Sequence, residues 1–342
     1  MLDSLYGQVM RVRRRRFERQ PQRQRRLSRP VISVGNLSVG GTGKSPVVAA
    51  IAQWLIDAGE RPAIISRGYA RLDPVDGVVV VSDGASILSK VEQSGDEPLM
   101  LARQVPRAIV CVSPERYLAG RLAEQQFGAT VHVLDDGFQH LELARDLDIL
   151  VTSVGEIPNG KVIPAGRLRE PIDAAARAQV LVVSDATAGA ASAEAWALGI
   201  SQSCGMLRKL GEPVMVRLKP DITERIEGPI LAVAGIAHPD RFVQSLKDAA
   251  WDVVDSMTFT DHHRYSVTDV TAIAAKLESA GADSVFTTDK DAVRFAALGG
   301  LPFPLYRVPL RVQFDPSDAL FSSIQAVLTS ASDQLSARRR HQ

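Results

Sequence analysis

The stretch from residue 31 to residue 46, VISVGNLSVGGTGKSP, constrains this chain more than any other. Its first residues are apolar and mostly β-branched, as in a buried strand, and glycines follow at positions 40, 41 and 43. Lys44 and Ser45 then open a helix with apolar periodicity. A strand, a glycine-rich turn and a helix in this order bring backbone N–H groups and the helix dipole to one anion. We therefore predict a phosphate-binding loop.

The loop departs at one position from the common phosphate-binding pattern G-x-x-x-x-G-K-[ST]. Ser38 stands where that pattern has its first glycine, although Gly35 still supplies freedom nearby. In the usual mechanics, Lys44 reaches the β- and γ-phosphates and the Ser45 hydroxyl binds Mg²⁺. A glycine-rich turn without a ligand is the alternative interpretation. The predicted nucleotide-binding residues are Ser38, Val39, Gly40, Gly41, Thr42, Gly43, Lys44 and Ser45.

The length of 342 residues suits two domains better than one core. Predicted strands alternate with helices, which is typical of an α/β fold with a mainly parallel sheet flanked by helices, as in P-loop nucleotide-binding proteins. The pattern restarts after about residue 205 as a second, smaller α/β domain. The predicted segments are an N-terminal helix (1–29), the domain with the phosphate-binding loop (30–205), the smaller domain (206–330) and a basic tail (331–342).

The first 29 residues are strongly basic. They hold ten arginines against Asp3 and Glu18, whereas the whole chain has a formal net charge of only +1, so the remainder is net acidic. Helical spacing brings six apolar residues near one face, namely Leu2, Leu5, Tyr6, Val9, Met10 and Val12. This pattern favours a helix on an anionic membrane surface, where each cation contributes on the order of 1 kcal/mol. A solvated basic arm or an RNA contact stays open as the alternative, although no nucleic-acid motif accompanies the arginines.

The expected compartment follows from what the chain lacks. Cys111 and Cys204 lie far apart and outside any C-x-x-C arrangement, which fits a reducing compartment without disulfides. No apolar run approaches the roughly 18 residues of a membrane-spanning helix, and the N-terminus lacks the apolar centre of a signal peptide. We expect a cytoplasmic protein.

A second informative stretch ends in two adjacent carboxylates. Residues 130–136 (TVHVLDD) read as an apolar strand that delivers Asp135 and Asp136 at its carboxyl end. An aspartate there can bind Mg²⁺ beside Ser45, as the Walker B strand does. His140 follows Asp136 by four residues and could share a helical face with it. A plain turn is the alternative for the two aspartates.

Two further polar segments follow predicted strands. Arg67 and Tyr69 come after the strand 63–66, at the strand end where open α/β sheets bind ligands. The loop 162–171 (VIPAGRLREP) lies between two more predicted strands and could meet an anionic substrate. Its charged residues are Arg167, Arg169 and Glu170. For both segments a surface role stays equally open.

Acidic residues and histidines concentrate at two other places. Asp96 and Glu97 precede Pro98 at a predicted helix start, where they could simply complement the helix dipole. Within the predicted smaller domain, His262 and His263 follow an aspartate. Adjacent histidines without a nearby cysteine support zinc only weakly, so an acid–base or hydrogen-bonding role is favoured.

Taken in order, these segments resemble one family, the tetraacyldisaccharide 4′-kinases, which are membrane-associated lipid A kinases of Gram-negative bacteria. The resemblance extends from the N-terminal helix to about residue 310. Small departures stand at Ala70, Arg167 and Asp289. The blocks that carry the resemblance are SVGGTGKSP (38–46), SRGY (66–69), GDEP (95–98), DDGFQH (135–140), PAGRLREP (164–171), GIAHPDRF (235–242), DHHRY (261–265) and TTDKDAV (287–293).

The resemblance implies a reaction. The γ-phosphoryl group of ATP would pass, with Mg²⁺, to the 4′-hydroxyl of a tetraacylated glucosamine disaccharide 1-phosphate, giving the 1,4′-bisphosphate. The enzyme would be a peripheral protein at the cytoplasmic face of the inner membrane. The acceptor lipid and the anionic membrane surface are the expected partners, without nucleic acid or a protein partner.

The resemblance also implies residue roles in a cleft between the two domains. Asp135 and Asp136 would organise the metal together with Ser45. Asp96 would be the general base, paired with His262 as first choice or His263 as second. Because that pair would be split between domains, we expect nucleotide binding to close the cleft. The expected cleft residues are Arg67, Tyr69, His140, Arg167, Arg169 and Glu170, and the three arginines are candidates for the phosphate of the acceptor.

Two other classes of function compete with this one. A P-loop kinase or ligase with a water-soluble acceptor would use the same loop and aspartates, but it would leave the N-terminal helix unused. A nucleotide switch, such as a partitioning ATPase, often carries a lysine early in the loop. Residues 38–41 (SVGG) offer no such lysine, which counts against that class.

Overall fold

The structure, a computed structural model, describes residues 2–69, 71–73, 75–156, 160–216, 226 and 228–340. The chain forms two compact units. Unit 1 comprises residues 1–94, 101–208 and 312–342, and unit 2 comprises residues 95–100 and 209–311.

The nine strands of the larger sheet are β1 (Val31–Gly35), β2 (Pro62–Ser66), β3 (Val79–Asp83), β4 (Ile109–Val112), β5 (Val131–Asp135), β6 (Leu147–Ser153), β7 (Val180–Ser184), β8 (Gln202–Leu210) and β14 (Leu310–Asp315). Their spatial order is β14-β8-β7-β6-β1-β5-β2-β4-β3. Strand β1 lies in the interior and pairs in parallel with β5 and β6, with Val31 opposite His132 and Ile32 opposite Leu147. Strand β3 is antiparallel to β4 at one edge.

The helices that accompany this sheet are α1 (Leu2–Arg19), α2 (Lys44–Asp57), α3 (Val91–Ser94), α4 (Asp96–Gln104), α5 (Arg116–Phe127), α6 (Ala188–Leu198) and α10 (Ser317–Arg340). Only the start of α4, as far as Met100, groups with unit 2. Three short 3-10 helices, two of them in unit 1, span Pro21–Arg23, Ile172–Arg177 and Ala296–Leu298.

Unit 2 is built on a second sheet of five strands. They are β9 (Val214–Met215), β10 (Ile230–Ala234), β11 (Val253–Thr258), β12 (Ser284–Thr288) and β13 (Leu305–Val308), in the order β11-β10-β12-β13-β9. All pair in parallel except β9, which is antiparallel to β13. The helices of this unit are α7 (Pro239–Asp248), α8 (Val267–Ser279) and α9 (Asp289–Phe295).

The inner strands of both sheets are buried on their two faces, as is usual for parallel strands. In β10, Leu231 and Val233 belong to one apolar cluster, whereas Ile230, Ala232 and Ala234 belong to another. Because successive side chains of a strand point to opposite faces, a continuous apolar run such as ILAVA fills two cores at once. This is why these strands read as unbroken apolar runs in the sequence.

The predicted α/β fold with two domains is confirmed, but the structure draws the boundaries differently. Residues 312–330 belong to unit 1, because β14 adds to the larger sheet and α10 follows it, with Phe321 stacked on Trp54 at 5.1 Å. The first 29 residues also belong to unit 1. The C-terminal segment 331–340 continues helix α10 and is not a separate tail.

Several local predictions are refined. Residues 136–140 do not form a helix, so Asp136 and His140 do not share a helical face. Strand β9 spans only two residues, Val214–Met215. Cys111 and Cys204 are both buried, and burial raises the pKa of each thiol to about 12, which makes them inert core residues. No helix in the described ranges is long and apolar enough to cross a membrane.

Candidate active site

The predicted phosphate-binding loop of unit 1, residues 35–45, which we call the phosphate cradle, has the backbone conformation expected from its sequence. Strand β1 ends at Gly35, and α2 begins at Lys44 as predicted. Gly40 and Gly43 adopt φ angles of 113° and 88°, a left-handed region that favours glycine. Thr42 is buried and held on both sides, because its hydroxyl accepts from the Asn36 amide at 3.1 Å and its carbonyl accepts from Ser184 Oγ at 2.8 Å. The loop is therefore a fixed turn with its glycines at the surface.

The loop 162–171 is hydrogen-bonded to the first half of the cradle, at Val39. The Val39 N–H donates to the Arg167 carbonyl at 2.8 Å, and the Arg167 guanidinium donates back to the Val39 carbonyl at 2.9 Å. Ser38, at the position of the missing glycine, is buried and its hydroxyl donates to Glu156 at 2.6 Å. Ser38 thus lacks the backbone freedom of a glycine, and its hydrogen bond to Glu156 fixes this position of the loop. Arg167, expected to meet substrate, is engaged with the loop itself.

Asp136, in unit 1, lies between two cationic side chains. Its Oδ2 accepts from Arg169 at 2.7 Å, and its Oδ1 lies 3.4 Å from Lys44 Nζ. Burial acts to raise the pKa of this carboxyl, but the charges of Lys44 and Arg169 outweigh it and lower the pKa below the usual value. Asp136 has a φ of 54°, which is uncommon for a residue with a side chain. Asp135, the last residue of β5, is buried beside it.

This arrangement fits a divalent cation. Asp136 Oδ1 is a buried anionic oxygen whose cationic neighbour is Lys44 Nζ at 3.4 Å, so a carboxylate oxygen beside the loop is already directed to a cation. Mg²⁺ is usually held by one or two carboxylates and a hydroxyl together with substrate phosphates, which matches Ser45, Asp135 and Asp136. Among the described residues, no group of three or more histidine, cysteine or acidic side chains could hold a metal, and the zinc alternative at His262 and His263 therefore finds no support.

Other predicted cleft residues of unit 1 differ in exposure. Glu170 is almost fully buried, and its carboxylate accepts from Arg177 at 3.2 Å. Arg177 in turn covers the Phe138 ring at 4.4 Å. This contact makes Glu170 an anchor of the loop rather than a group offered to substrate. Arg67 and Tyr69 are exposed after β2, as their position at a strand end predicted.

Two polar groups of unit 1 lie near the aspartates. His140 Nδ1 lies 3.1 Å from Glu142, and burial, helped by the charge of Arg116, lowers the pKa of the imidazole to about 4. Arg116, at the start of α5, is buried, and burial and the charge of Arg67 lower its pKa to about 10 while the charges of Asp135 and Asp136 oppose the shift. Sequence reasoning missed Arg116, because a single arginine at a helix start gives no signal of its own.

Unit 2 holds the second predicted constellation. His262 Nδ1 lies 2.9 Å from Asp96 Oδ2, so the structure pairs Asp96 with the first-choice histidine. Both residues lie in unit 2, because segment 95–100 groups with it. The expectation of a pair split between two domains is therefore wrong, and closure on nucleotide binding stays a prediction. The physical reason is that Asp96 is tied to unit 2 by Arg294, which sequence reasoning did not consider.

The second-choice histidine has another partner. His263 Nε2 lies 3.2 Å from Asp269, which also completes the capping box of α8 with Ser266. The imidazole stacks on Phe259 with ring centroids 4.5 Å apart. His263 is thus part of the packing at the start of α8. His262, by contrast, has a φ of 59°, an uncommon backbone conformation held where its ring meets Asp96.

The electrostatics around Asp96 favour its ionised form. Burial acts to raise the pKa of this carboxyl, but the hydrogen bond with His262 and the charges of Lys290 and Arg294 outweigh it and hold the pKa far below its usual range. Lys290 Nζ also lies 3.3 Å from His262 Nε2 and 3.2 Å from Glu97. Lys290 lies in the TTDKDAV block, and Arg294 is one residue beyond it. That block was the only sequence signal that pointed toward these two residues.

A parallel sheet whose central strand runs into a glycine-rich loop and a helix opening with Lys-Ser, beside an acidic strand end, defines a P-loop nucleotide-binding protein. Comparisons identify the particular family. The model of the family described as "LpxK: Tetraacyldisaccharide-1-P 4'-kinase" matches residues 1–329. The chain therefore belongs to the tetraacyldisaccharide 4′-kinase family and is a phosphotransferase.

Similar proteins of known name agree. The chain is 39% identical over 321 residues to the tetraacyldisaccharide 4′-kinase of Geobacter sulfurreducens, covering 92% of this chain and 88% of that one. It is 40% identical over 298 residues to that of Pelobacter propionicus, covering 86% and 81%. A crystal structure of LpxK from Aquifex aeolicus in complex with ATP superimposes with a TM-score of 0.76 at 28% identity, covering 96% of this chain and 97% of that one.

Proposed function

We propose how the residues of this chain divide the work of transferring the γ-phosphoryl group of ATP to the 4′-hydroxyl of a tetraacylated glucosamine disaccharide 1-phosphate. The observation that carries the proposal is that two charged constellations have complementary chemistry. One offers cations and backbone N–H groups to phosphates, and the other holds an ionised carboxylate beside an imidazole. A phosphoryl transfer to a hydroxyl needs both, since it depends on neutralising phosphate charge and on removing one proton.

The nucleotide side belongs to unit 1. The N–H groups of residues 40–45 would donate to the phosphates of ATP, and Lys44, now beside Asp136, would pair with them. Ser45, Asp135 and Asp136 would hold Mg²⁺, which would supply charge neutralisation on the phosphates. Arg169 keeps Asp136 in place through its 2.7 Å ion pair. The 3.4 Å separation of Lys44 from Asp136 makes the exchange of partners easy, because such a contact is looser than a direct hydrogen bond.

The acceptor side uses Asp96 as general base. Because its pKa is held low, the carboxylate is ionised throughout the physiological pH range and needs no prior loss of a proton. His262 orients the carboxylate and takes part in the same hydrogen-bonded pair, so the proton of the sugar hydroxyl can be shared between them. Arg67, exposed at the end of β2, is our candidate for the phosphate already carried by the acceptor.

An acylated acceptor resides in a bilayer, and helix α1 is suited to meet its surface. Leu5, Val9 and Val12 recur at helical spacing and are exposed by 60%, 56% and 66%. The other side of α1 is fastened to unit 1, since the Tyr6 hydroxyl donates to the Arg169 carbonyl at 3.0 Å and Arg14 pairs with Asp173 at 2.7 Å. We place the protein peripherally at the anionic, cytoplasmic face of the inner membrane, with α1 in the headgroup layer.

The decisive experiment follows label from γ-labelled ATP in the presence of Mg²⁺. The purified protein is offered the tetraacylated disaccharide 1-phosphate in detergent micelles beside a water-soluble sugar phosphate. We expect label on the lipid. Label only on the water-soluble sugar would leave the cradle intact but overturn the lipid acceptor, and release of free phosphate alone would favour the nucleotide switch.

The membrane assignment has its own test. Replacing Leu5, Val9 and Val12 by Ser removes three exposed apolar side chains without touching the contacts of Tyr6 or Arg14. We expect sedimentation with vesicles containing anionic lipid to fall about tenfold or more, because each lost side chain costs on the order of 1 kcal/mol of burial. The matched control replaces the exposed Leu118 and Trp196 by Ser and should sediment like the wild type. Equal binding by the triple variant would overturn the placement of α1.

A further inference from the structure

Arg294 makes the largest set of contacts around Asp96. Its Nε donates to Asp96 Oδ2 at 3.1 Å, and its Nη2 forms a close hydrogen bond to the same oxygen. The side chains of Arg294 and Asp96 are only 6% and 8% exposed, so the ion pair is withdrawn from solvent. A buried pair of this kind is worth much more as a geometric restraint than a surface pair, since neither partner can turn to water.

A second carboxylate, that of Asp291, also binds the Arg294 guanidinium. The Nη1 atom donates to Asp291 Oδ1 at 2.9 Å and to the Gly235 carbonyl at 2.8 Å. Asp291 is fully buried, and it also accepts from the Tyr265 hydroxyl at 3.1 Å and the Thr288 hydroxyl at 2.7 Å. The guanidinium is therefore fixed at all three of its nitrogens, and its position relative to β10 is set by the fold of unit 2.

We propose that Arg294 is a positioning residue for the phosphoryl-transfer reaction, which fixes the Asp96 carboxylate by its Oδ2 atom and directs its Oδ1 atom to the acceptor hydroxyl. The inference rests on the proposed role of Asp96 as general base. Oδ2 receives the donors of Arg294 and His262, whereas Oδ1 accepts from the Glu97 N–H at 2.8 Å. Oδ1 is thus the oxygen less committed to protein donors and the better proton acceptor.

The geometry requires arginine rather than a cation in general. Only a planar guanidinium can donate to Asp96, to Asp291 and to a backbone carbonyl at fixed angles, whereas the ammonium of lysine is a compact point charge. A substitution by lysine would keep the charge and lose the orientation. The role of Arg294 is therefore separable from simple charge compensation.

The other charged groups around Asp96 do not replace this restraint. From α9, Lys290 contributes a charge but bonds to Glu97 and His262. From the segment before α8, His262 bonds to Asp96 and lies 3.8 Å from Asp261. Both groups are more exposed to solvent than Arg294, with side-chain exposures of 17% for Lys290 and 30% for His262. Arg294 is the buried member that connects the carboxylate to the core of the unit.

The test compares Arg294→Lys and Arg294→Met with a matched control, Arg307→Lys. Arg307 pairs with Asp289 at the other end of α9 and does not contact Asp96. We expect kcat to fall about a hundredfold for Arg294→Met and about tenfold for Arg294→Lys, since small displacements of a reacting group cost that much. The dissociation constant of ATP should stay unchanged, and Arg307→Lys should retain a kcat within about twofold of the wild type.

A double-mutant cycle separates positioning from a structural role. In the Asp96→Asn background, the cost of Arg294→Lys should vanish to within about twofold, because there is no carboxylate left to orient. Rates are normalised to the fraction of protein that binds ATP and melts cooperatively, so Arg294→Lys serves even if Arg294→Met does not fold.

The outcomes discriminate between the two proposals. If Arg294→Lys costs the same factor with and without Asp96, or weakens ATP binding to the same extent as it lowers kcat, the positioning role is overturned while Asp96 remains the base. If Asp96→Asn alone has a near-normal kcat, the general-base proposal itself fails, and the role of Arg294 fails with it.

Discussion

The phosphate cradle of unit 1 and the Asp96 cluster of unit 2 are built in opposite ways. The cradle comes from one uninterrupted stretch, residues 35–45, and most of its predicted donors are backbone N–H groups. The cluster is assembled from the start of α4, the loop before α8, and helix α9, and its contacts are between side chains. Backbone chemistry can be read from local spacing, whereas a side-chain cluster depends on which distant segments the fold brings together.

The largest expected effect tests the cradle. Lys44→Ala should lower kcat by about a thousandfold, because the lysine neutralises charge that develops on the transferred phosphoryl group. The melting temperature should change little, since Lys44 contributes charge rather than packing. Steady-state rates with labelled ATP measure the effect, with the exposed Lys247→Ala variant as control. A near-normal rate for Lys44→Ala would contradict the phosphate-loop assignment.

The next effect tests the cluster. Asp96→Asn should lower kcat by about a hundredfold, the usual contribution of a general base, while ATP binding to unit 1 remains as in the wild type. The neighbouring Glu97→Gln variant, which removes a partly exposed carboxylate on the same turn, should have a much smaller effect. A change confined to ATP affinity would instead assign Asp96 to the metal or the helix cap.

Gly35, at the start of the cradle, packs closely against Phe138, so a side chain at this position should lower the stability of the fold. An added Cβ at Gly35 would lie 2.5 Å from Phe138 Cβ and 2.7 Å from its backbone nitrogen, so Gly35→Ala should destabilise the protein by about 1–3 kcal/mol. Gly189, the second residue of α6, has no atom near an added Cβ and provides the opposite control. Gly189→Ala should stabilise by up to about 0.5 kcal/mol, because the first turn of a helix gains less than its interior. Denaturant unfolding measures both, and equal signs would refute the packing argument.

The smallest expected effect is a difference in pH dependence between the two regions. Burial lowers the pKa of His140 in the folded chain to about 4, below the ordinary value of 6.5, so the unfolded chain binds more protons between these limits. Stability should therefore decline as pH falls from about 6.5 toward 4, and His140→Gln should flatten this part of the curve. Asp96, whose pKa is also lowered, loses its contribution only at more acidic pH, below its unfolded value. An unchanged slope in His140→Gln would exclude this assignment.

Much of the fold followed from residue patterns. Apolar-rich runs such as residues 131–134 and 230–234 are typical of buried parallel strands, and the glycines and Lys44 predicted a turn and a helix start that the structure confirms. The domain boundaries did not follow. Segment 95–100 and residues 312–330 change units relative to the prediction, because contacts across long sequence separations, such as Arg294 with Asp96, decide membership.

The sequence by itself determined the glycine-rich turn, the helix start at Lys44 and the two carboxylates at the end of β5, because these features act through short-range spacing and backbone geometry. The class of reaction was implied by the resemblance of the sequence blocks to one family. Only the tertiary structure decided that His262 rather than His263 meets Asp96, that Glu170 is buried against Arg177, and that Arg294 holds the carboxylate. The physical reason is that the direction of a side chain and its desolvation depend on all elements packed around it, and no local pattern encodes them.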